Sequence, residues 1–310
     1  MGIFSFQPSE VAKLSTILTL ALVLERKSIS SIKDLLSPFL IVIVPWLLIF
    51  FQPDLGTSLV LIVLTFVMLY WSQMPIEWFF ILGCFIFTSI FYLVSPNLLI
   101  FWLPFVVYLA YRSSQKKIIF SMLILSLHSL VIKLTPFIWE FGLKDYQKDR
   151  LILFLDPSRD PLGGGYHLLQ SKIAIGSGGL FGTGLLNGKL TNLQFIPEQH
   201  TDFIFSALGE ELGFLGCMLV LFLFFVLIIR LVNVSKNART HFESLIIIGI
   251  ASTILFQIMI NLFMTIGLGP VTGIPLPFMS YGRTSLLINF ICIGLALSTC
   301  LLYTSPSPRD

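Results

Sequence analysis

Asp202 is the acidic residue best placed for chemistry, because it stands where a polar stretch meets an apolar one. The stretch 195–205 reads Phe-Ile-Pro-Glu-Gln-His-Thr-Asp-Phe-Ile-Phe. An ionisable side chain at the edge of a membrane-length apolar run is costly, which makes it a functional candidate. A structural alternative stays open, since Asp202, or equally Thr201, can cap the following helix. His200 is expected to be a hydrogen-bonding neighbour of this acid.

A second pair of charged residues opens the first apolar run. Glu10 and Lys13 lie three residues apart in Phe-Gln-Pro-Ser-Glu-Val-Ala-Lys at 6–13, so a helix presents them on one face. They are read either as part of a site on the same side of the membrane as Asp202 or as an interfacial ion pair that snorkels to water. In the turn at 52–58, Asp54 is expected to cap a helix.

Cations and glycines cluster between 145 and 184. Glycines at 163–165 and 176–184 indicate turns, and Tyr166–Ile175 between them is predicted to form an amphipathic helix on the membrane surface. Lysine and arginine beside such backbone suit phosphate or pyrophosphate. A solvated loop surface is the competing interpretation, because the phosphate-loop pattern ending in Gly-Lys-Ser/Thr is missing. The polar residues of interest here are Gln147, Arg150, Gln170 and Lys172.

A further polar turn, Pro-Leu-Pro-Phe-Met-Ser-Tyr-Gly-Arg-Thr-Ser at 275–285, leads into the last apolar run. It contributes Ser280 and Arg283. Arg283 is the sole cation of its connection, against the charge bias described below, so we expect it to have an anionic partner. Snorkelling along the membrane surface is the alternative.

The composition excludes a water-soluble protein. The 310 residues are 56% hydrophobic and 11% charged, with a mean hydropathy of +0.93, whereas soluble domains carry about 25% charged residues. The apolar runs are continuous and do not alternate, so a β-barrel is excluded. A net charge of +3 argues against nucleic acid. No histidines stand at ligand spacing, and the four cysteines are expected to be small core residues.

The chain is therefore predicted to be an all-α polytopic membrane protein with about nine transmembrane helices. Lysine and arginine concentrate in the connections 26–36, 112–117 and 230–243, and the alternate connections are nearly free of them. This bias places the long connection 135–211 on the extracytoplasmic face. The apolar runs lie near 9–25, 37–52, 56–72, 77–94, 97–111, 118–134, 212–233, 244–267 and 284–303.

Residues 1–303 are expected to form a single membrane domain. The charge bias puts Met1 outside without an export signal of its own, so further spans are expected upstream, and a native outside N-terminus is the alternative. The tail 304–310 shifts abruptly to serine and proline. It is either a short cytoplasmic tail or a non-native addition.

Taken together, these motifs resemble the SEDS family (shape, elongation, division and sporulation) and its RodA branch. The resemblance covers most of the chain outside roughly 77–140. The family's G-A-x-R-W loop is absent, the region 77–134 holds about two spans more than many relatives, and Arg283 replaces a glycine of S-Y-G-G-[ST]. The stretches that carry the resemblance are F-Q-P-S-E-V-A-K at 6–13, Q-P-D-L-G-T-S at 52–58, Y-Q-K-D-R at 146–150, D-P-x-x-D-P-L-G-G-G-Y-H at 156–167, Q-S-K-I-A-I-G-S-G-G-L-x-G-x-G at 170–184, P-E-Q-H-T-D-F-I-F at 197–205, E-E-L-G at 210–213 and P-L-P-x-x-S-Y-G at 275–282.

The resemblance implies a peptidoglycan glycosyltransferase of the bacterial plasma membrane, active at its outer face in cell-wall synthesis. Such proteins polymerise lipid II and release undecaprenyl pyrophosphate, working with a class B penicillin-binding protein and the elongation machinery of the MreB, MreC and MreD type. The family's essential acid falls on Asp202, and its charged pair on Glu10 and Lys13. Substrate contacts are then expected from Gln147, Arg150, Gln170, Lys172, His200, Thr201, Ser280 and Arg283.

The expected mechanism is inverting transfer, with Asp202 as the general base. Phe203 and Phe205 are expected to raise the pKa of Asp202 and Lys13 to lower it. A divalent cation such as Mg²⁺ is the one cofactor expected. Two rival functions remain: a lipid II flippase, disfavoured because most span centres lack charge, and a non-catalytic scaffold for a penicillin-binding protein.

Overall fold

The computed structural model describes residues 7–26, 29, 32–52, 54–113, 116–156, 160, 164–193, 195 and 198–304. Within these ranges the chain forms helices and turns, without a β-strand. The predicted all-α class is confirmed. The α-helices are α1 (Pro8–Arg26), α2 (Ile32–Phe51), α3 (Leu55–Trp71), α4 (Ile76–Val94), α5 (Leu99–Ser113), α6 (Lys117–Phe137), α7 (Asp145–Leu155), α8 (Gly164–Ser177), α9 (Lys189–Asn192), α10 (Ile204–Lys236), α11 (His241–Ile266) and α12 (Arg283–Thr304).

Each apolar run of the sequence lies in one of the long helices. Among the described residues, five helical segments are long and apolar enough to cross a membrane, and α3 and α12 hold shorter apolar segments. The predicted count of nine spans is therefore not confirmed. The five segments are Asp34–Phe51, Ile76–Val94, Lys117–Gly142, Ile204–Lys236 and His241–Ile266.

The chain divides into two compact units, of which the smaller is Ser72–Lys148. Here α4, α5 and α6 pack on one another, and a 3₁₀ turn at Pro96–Leu98 connects α4 to α5. Inside the unit, Thr88 accepts a hydrogen bond from Trp102 Nε1 at 2.9 Å and lies 2.7 Å from His128 Nδ1. The apolar core consists of Ile81, Cys84, Val106, Ala110, Phe120 and Ile124.

The larger unit comprises residues 1–71 and 149–310. Its central helix is α11, which packs against α1, α3, α8, α10 and α12. At one end of the unit, Trp71 Nε1 donates to Ser244 Oγ at 2.8 Å, and Ser235 Oγ donates to the Ser244 carbonyl at 2.8 Å. The C-terminal ends of α3 and α10 therefore meet the start of α11, as antiparallel neighbours should.

The polar turns gather at the opposite end of this unit, which we call the site end. The Gln7 amide donates to Thr284 Oγ1 at 3.3 Å, and Ser9 Oγ donates to Asp54 at 3.5 Å, so the starts of α1, α3 and α12 are neighbours. Asp54 caps α3 as predicted, because its carboxylate accepts from the amide of Thr57 at 2.9 Å. Polar turns that are distant in the sequence therefore meet at the site end of this unit.

A break in α10 accommodates the glycine-rich loop 178–187. Gly213 interrupts the helix with φ 67°, in the left-handed region that favours glycine. The amide of Thr183 donates to the Glu210 carbonyl at 3.0 Å, and the amide of Phe214 donates to the Gly179 carbonyl at 2.9 Å. The sequence predicted an apolar run from residue 212, but α10 starts earlier, at Ile204. The break at Gly213 allows a more polar helical segment to precede the apolar one.

Candidate functional site

A tight turn at residues 198–203 carries Asp202. Glu198 has φ 51°, and its carbonyl accepts from the amides of Thr201 at 3.1 Å and Phe203 at 3.2 Å. The N-cap of α10 is Phe203, without a side-chain hydrogen bond, and the Thr201 hydroxyl donates to Glu198 instead. The interpretation of Asp202 or Thr201 as a helix cap is therefore wrong, and the Asp202 carboxylate is left for another role.

Buried hydrogen bonds fix this turn to two other elements. Asn261 on α11 is fully buried, and its Nδ2 donates to the carbonyls of Asp202 and Ile274, each at 2.8 Å. Ser280 Oγ donates to the Thr201 carbonyl at 2.6 Å. A single amide group thus holds the backbone of the acid and the loop before α12 in register. Such bonds stabilise by about 1 kcal/mol each and are costly to leave unmade.

Burial and neighbouring charges set the ionisation of Asp202. Its carboxyl is half-buried, and burial raises its pKa above the ordinary value; the negative charge of Glu198 raises it further, and Arg150 lowers it. A Cβ at Gly273, where φ is 74°, would lie 3.4 Å from Asp202 Oδ2 and 3.6 Å from Arg150 Nη1. The cation that offsets the raised pKa is therefore Arg150, whereas Lys13 was expected.

His167 joins this group from α8. Its ring stacks on Phe203 with centroids 6.2 Å apart. Burial lowers the pKa of His167, Glu198 raises it and Arg150 lowers it, so the imidazole shares the electrostatic surroundings of Asp202. The helix predicted at 166–175 is observed as part of α8, and its placement on the membrane surface stays a prediction. It packs on α10 and α11, and its buried Ser171 lies 2.5 Å from Ser206 Oγ and donates to the Thr265 carbonyl at 2.7 Å.

A cleft of about 570 Å³ opens beside the same turn. It brings together three of the predicted residues, His200, Ser280 and Arg283. The Tyr281 amide donates to the His200 carbonyl at 2.8 Å, and Arg283 Nη2 donates to the Tyr281 hydroxyl at 3.2 Å. The lining combines polar and apolar side chains, which suits an amphiphile. The remaining lining residues are Ile204, Met279, Tyr281, Gly282 and Leu286.

Glu10 and Lys13 lie inside the helix bundle. Each is 3% exposed, and Lys13 Nζ donates to Glu10 Oε1 at 2.8 Å. The snorkelling interpretation is therefore wrong, because snorkelling requires a water-exposed head group. The pair lies in the first turns of α1, at the site end, and a direct contact with substrate stays a prediction.

Three other residues predicted to contact substrate make local contacts of their own. Gln147 belongs to the smaller unit, where its side-chain carbonyl accepts from the Lys144 amide at 2.9 Å at the start of α7. Gln170 is half-exposed on α8. Lys172 extends over the end of α11, so that any side chain at the C-cap Gly267 would collide with its ammonium end. A cation at that position interacts favourably with the negative, C-terminal end of the α11 dipole.

Glu210 holds the loop that follows α8. It is 1% exposed, and its carboxylate accepts from the amides of Leu190 at 2.8 Å and Thr191 at 2.9 Å and from the Thr191 hydroxyl at 2.5 Å. These amides start the short helix α9, so the carboxylate acts as its cap. Glu210 belongs to the motif E-E-L-G at 210–213, whose residue types and spacing do not indicate this role.

The described residues do not by themselves form a metal site. Among the described residues, no group of three or more His, Cys, Asp or Glu side chains converges as a metal-binding set. Mg²⁺ often binds to one or two carboxylates together with substrate phosphates. Glu198 and Asp202 are the carboxylates that fit this mode. Cys84, Cys217 and Cys292 are buried and free, as expected of core residues.

Sequence reasoning missed Glu198, His167, Gly273 and Asn261. Glu198 stands four residues before Asp202 and His167 closes a quoted motif, but neither stood at a spacing that indicates chemistry. Asn261 is a polar residue in the middle of an apolar run, and that placement is a usable signal because a buried amide must find partners.

Comparisons with known proteins identify the family. The family model FtsW/RodA/SpoVE, described as cell cycle protein, matches residues 1–100 and 96–301. The chain belongs to this family. The resemblance inferred from the motifs is thereby confirmed, and the chain is a multi-pass membrane protein of the SEDS type.

The relatives carry informative names. Peptidoglycan glycosyltransferase MrdB of Escherichia coli is 35% identical over 96% of this chain and 69% of its own length. Peptidoglycan glycosyltransferase RodA of Treponema pallidum is 33% identical over 96% of this chain and 75% of its own length.

Two solved structures share the fold. A structure titled as a peptidoglycan synthase complex that coordinates polymerization and crosslinking matches with a TM-score of 0.67 and 28% identity, over 99% of this chain and 73% of that one. The crystal structure of Thermus thermophilus RodA matches with a TM-score of 0.57 and 23% identity, over 99% and 69%, and bears on the fold alone.

Proposed function

We propose that this protein is a peptidoglycan glycosyltransferase of the bacterial plasma membrane, with its site at the outer face. Lipid II is the substrate, polymerised into glycan strands. The observation that carries the proposal is Asp202: its carboxylate has no capping role, its backbone carbonyl is held by the buried Asn261, and its turn borders a cleft lined by polar and apolar side chains. The family and the names of its members support the reaction class.

In the proposed reaction, Asp202 accepts the proton of the acceptor GlcNAc 4-hydroxyl. The O4 oxygen attacks C1 of the donor MurNAc, the bond from C1 to the diphosphate breaks, and undecaprenyl pyrophosphate leaves with inversion. Because the pKa of Asp202 is raised, its basicity is closer to what proton abstraction near neutral pH requires. General-base help of this kind contributes about 10²–10⁴-fold.

The cations near the turn have separate tasks in this proposal. Arg150, close to Asp202, keeps the acid ionised before the reaction. Arg283, in the cleft, compensates the charge of the diphosphate, and the apolar lining residues Ile204, Met279 and Leu286 contact the first carbons of the lipid. A divalent cation remains a prediction, and it would supply further charge neutralisation at the diphosphate.

The proposed partners are a class B penicillin-binding protein, which crosslinks the strands, and elongation machinery of the MreB, MreC and MreD type. The synthase-complex relative supports the first of these.

The test is polymerisation of fluorescent lipid II by the purified chain in lipid, with and without the penicillin-binding partner. Penicillin is added throughout so that strands stay soluble and can be resolved on a gel. We expect glycan strands that depend on this chain. Strands that form without it would assign it a scaffold role, and movement of labelled lipid II across vesicles without polymer would assign it a flippase role.

A further inference from the structure

The glycine-rich loop 178–187 exposes an unusual amount of apolar surface. Leu180 and Phe181 are 62% and 80% exposed, and Leu185 and Leu186 are 69% and 79% exposed. A contiguous exposed patch of this kind usually faces a partner or a membrane. The loop follows α8 and precedes α9, so these side chains lie outside the apolar runs predicted to span the membrane.

The patch continues the apolar outer surface of α10. The amide of Phe214 donates to the Gly179 carbonyl at 2.9 Å, and that of Leu215 donates to the Leu180 carbonyl at 3.1 Å. Phe214 and Leu215 are themselves 57% and 53% exposed, on a helix of spanning length and apolarity. The loop and the lipid-facing side of α10 therefore form one apolar surface.

The break at Gly213 divides α10 into a short first segment and a second segment of membrane-spanning length. The part of α10 after Gly213 is long enough to cross the hydrocarbon core by itself, since a span needs about 20 residues. The loop is bonded to both sides of the break, so it lies at the depth where the span begins.

The backbone of the loop suits a water-poor environment. Non-helical backbone is tolerated at membrane depth only when its polar groups are paired. The amides of Gly182, Thr183 and Gly184 donate to the carbonyls of Gly178 at 2.8 Å, Glu210 at 3.0 Å and Glu211 at 3.1 Å. These three loop amides are thus paired, two of them with carbonyls that the break in α10 leaves without a helical partner.

Leu186 adds an independent observation. Its φ of 61° lies in the left-handed region, where glycine or asparagine is the usual residue. A leucine there pays backbone strain of about 1–3 kcal/mol while exposing most of its side chain. An apolar surrounding offsets that strain by burying the leucine, and water does not.

We propose that loop 178–187 is an interfacial membrane element, with Phe181, Leu185 and Leu186 inserted among the lipid chains on the site side. The occupant of the patch is the bilayer itself. The loop then fixes the depth of α8, and of Glu210 with the helix α9 that it caps, relative to the lipid surface. This inference does not depend on the proposed reaction.

The experiment places a nitroxide spin label at Phe181→Cys or Leu186→Cys in the full chain, reconstituted in phosphatidylethanolamine and phosphatidylglycerol vesicles. Native cysteines are replaced by alanine. Collision rates are measured with oxygen, which partitions into lipid, and with a water-soluble nickel chelate. Phe222→Cys on the exposed face of α10 is the lipid reference, and Lys189→Cys on the exposed start of α9 is the water reference.

We expect the ratio of oxygen to nickel collisions at both loop positions to be severalfold higher than at Lys189 and below that at Phe222. A ratio equal to that at Lys189 overturns the proposal and makes the patch a surface for another macromolecule. Leu185→Cys provides a third reading, so that a single misfolded variant does not decide the outcome.

Discussion

At the scale of single residues, the site depends on the electrostatic influence that four neighbouring ionisable groups have on one another, namely Arg150, His167, Glu198 and Asp202. The pKa of Asp202 is subject to opposing effects: burial and Glu198 raise it, and Arg150 lowers it. The acid could be found from the sequence, because it stands where polar chain meets apolar chain. Its neighbours could not, because the positive φ of Glu198 and the stacking of His167 on Phe203 arise only when the turn is closed.

The first residue-scale prediction concerns the pH dependence of polymerisation. A general base works deprotonated, so the rate falls as pH drops through the pKa of Asp202. Glu198→Gln removes a charge that raises this pKa, so the acidic limb of the curve of rate against pH moves to lower pH. Arg150→Gln removes a charge that lowers it, so the limb moves to higher pH. Both are measured as rate against pH at saturating lipid II.

Glu211→Gln is the matched control, because Glu211 contributes a backbone carbonyl to the loop and lies outside the Asp202 turn. Its acid limb should coincide with that of the unmodified protein. Shifts of the two test variants in the same direction would contradict the assigned electrostatics.

The second residue-scale prediction concerns stability. Because the folded-state pKa of Asp202 is raised, its contribution is most favourable below the unfolded pKa and is lost as pH rises through the folded value. Asp202→Asn removes the buried charge, so its Tm at neutral pH should equal or exceed that of the parent. The gain should vanish in acid. A clearly lower Tm of the variant at neutral pH would count against a destabilised carboxylate.

At the scale of elements, the acid depends on a broken helix and the loop bonded to it. The sequence predicted the apolar part of α10, the α8 helix and the Asp54 cap, because periodicity and capping are local signals. It did not predict that residues 204–212 are helical or that the Glu210 carboxylate caps α9. The partners of Glu210 lie about twenty residues away, and such pairing depends on tertiary folding.

The element-scale prediction is that Glu210→Gln loosens the loop. The amide keeps the volume but loses charged acceptors for the two amides and the hydroxyl, and hydrogen bonds to charged groups contribute about 1.5–3 kcal/mol each. We expect a loss of about 2–3 kcal/mol in unfolding free energy and faster proteolysis within residues 178–193. Thermal unfolding and limited proteolysis in detergent measure the two effects.

Glu211→Gln again serves as the comparison, since it has the same chemistry at the next position of the helix. Equal losses in the two variants would show that the Glu210 carboxylate does not hold α9.

At the scale of the whole molecule, the larger unit brings turns distant in sequence to one end of a helix bundle. Charge bias predicted that the start of α1 and the turn at Asp202 lie on one side of the membrane, because antiparallel helices return the chain to the same end. The charge bias did not indicate whether these charged residues are exposed or buried within the bundle. Glu10 and Lys13 are buried within the bundle and bonded to each other, and composition alone could not distinguish that arrangement from a surface pair.

The molecule-scale prediction is a double-mutant cycle on this pair. Removing one partner leaves a buried, uncompensated charge, which costs about 3–5 kcal/mol. Lys13→Met and Glu10→Gln alone should each destabilise strongly, and the double variant should lose less than their sum. Denaturation in mixed micelles gives the coupling energy. Additive losses would contradict a buried pair.

The central claim is that the Asp202 carboxylate acts as the base of glycosyl transfer. The most direct measurement is the rate of lipid II polymerisation by Asp202→Asn, beside Asp54→Asn as a carboxylate with a capping role. Both proteins are first shown to be folded by thermal unfolding. The account predicts a loss of about 10²–10⁴-fold for Asp202→Asn and a far smaller loss for Asp54→Asn. Polymerisation by folded Asp202→Asn at the unmodified rate would contradict it.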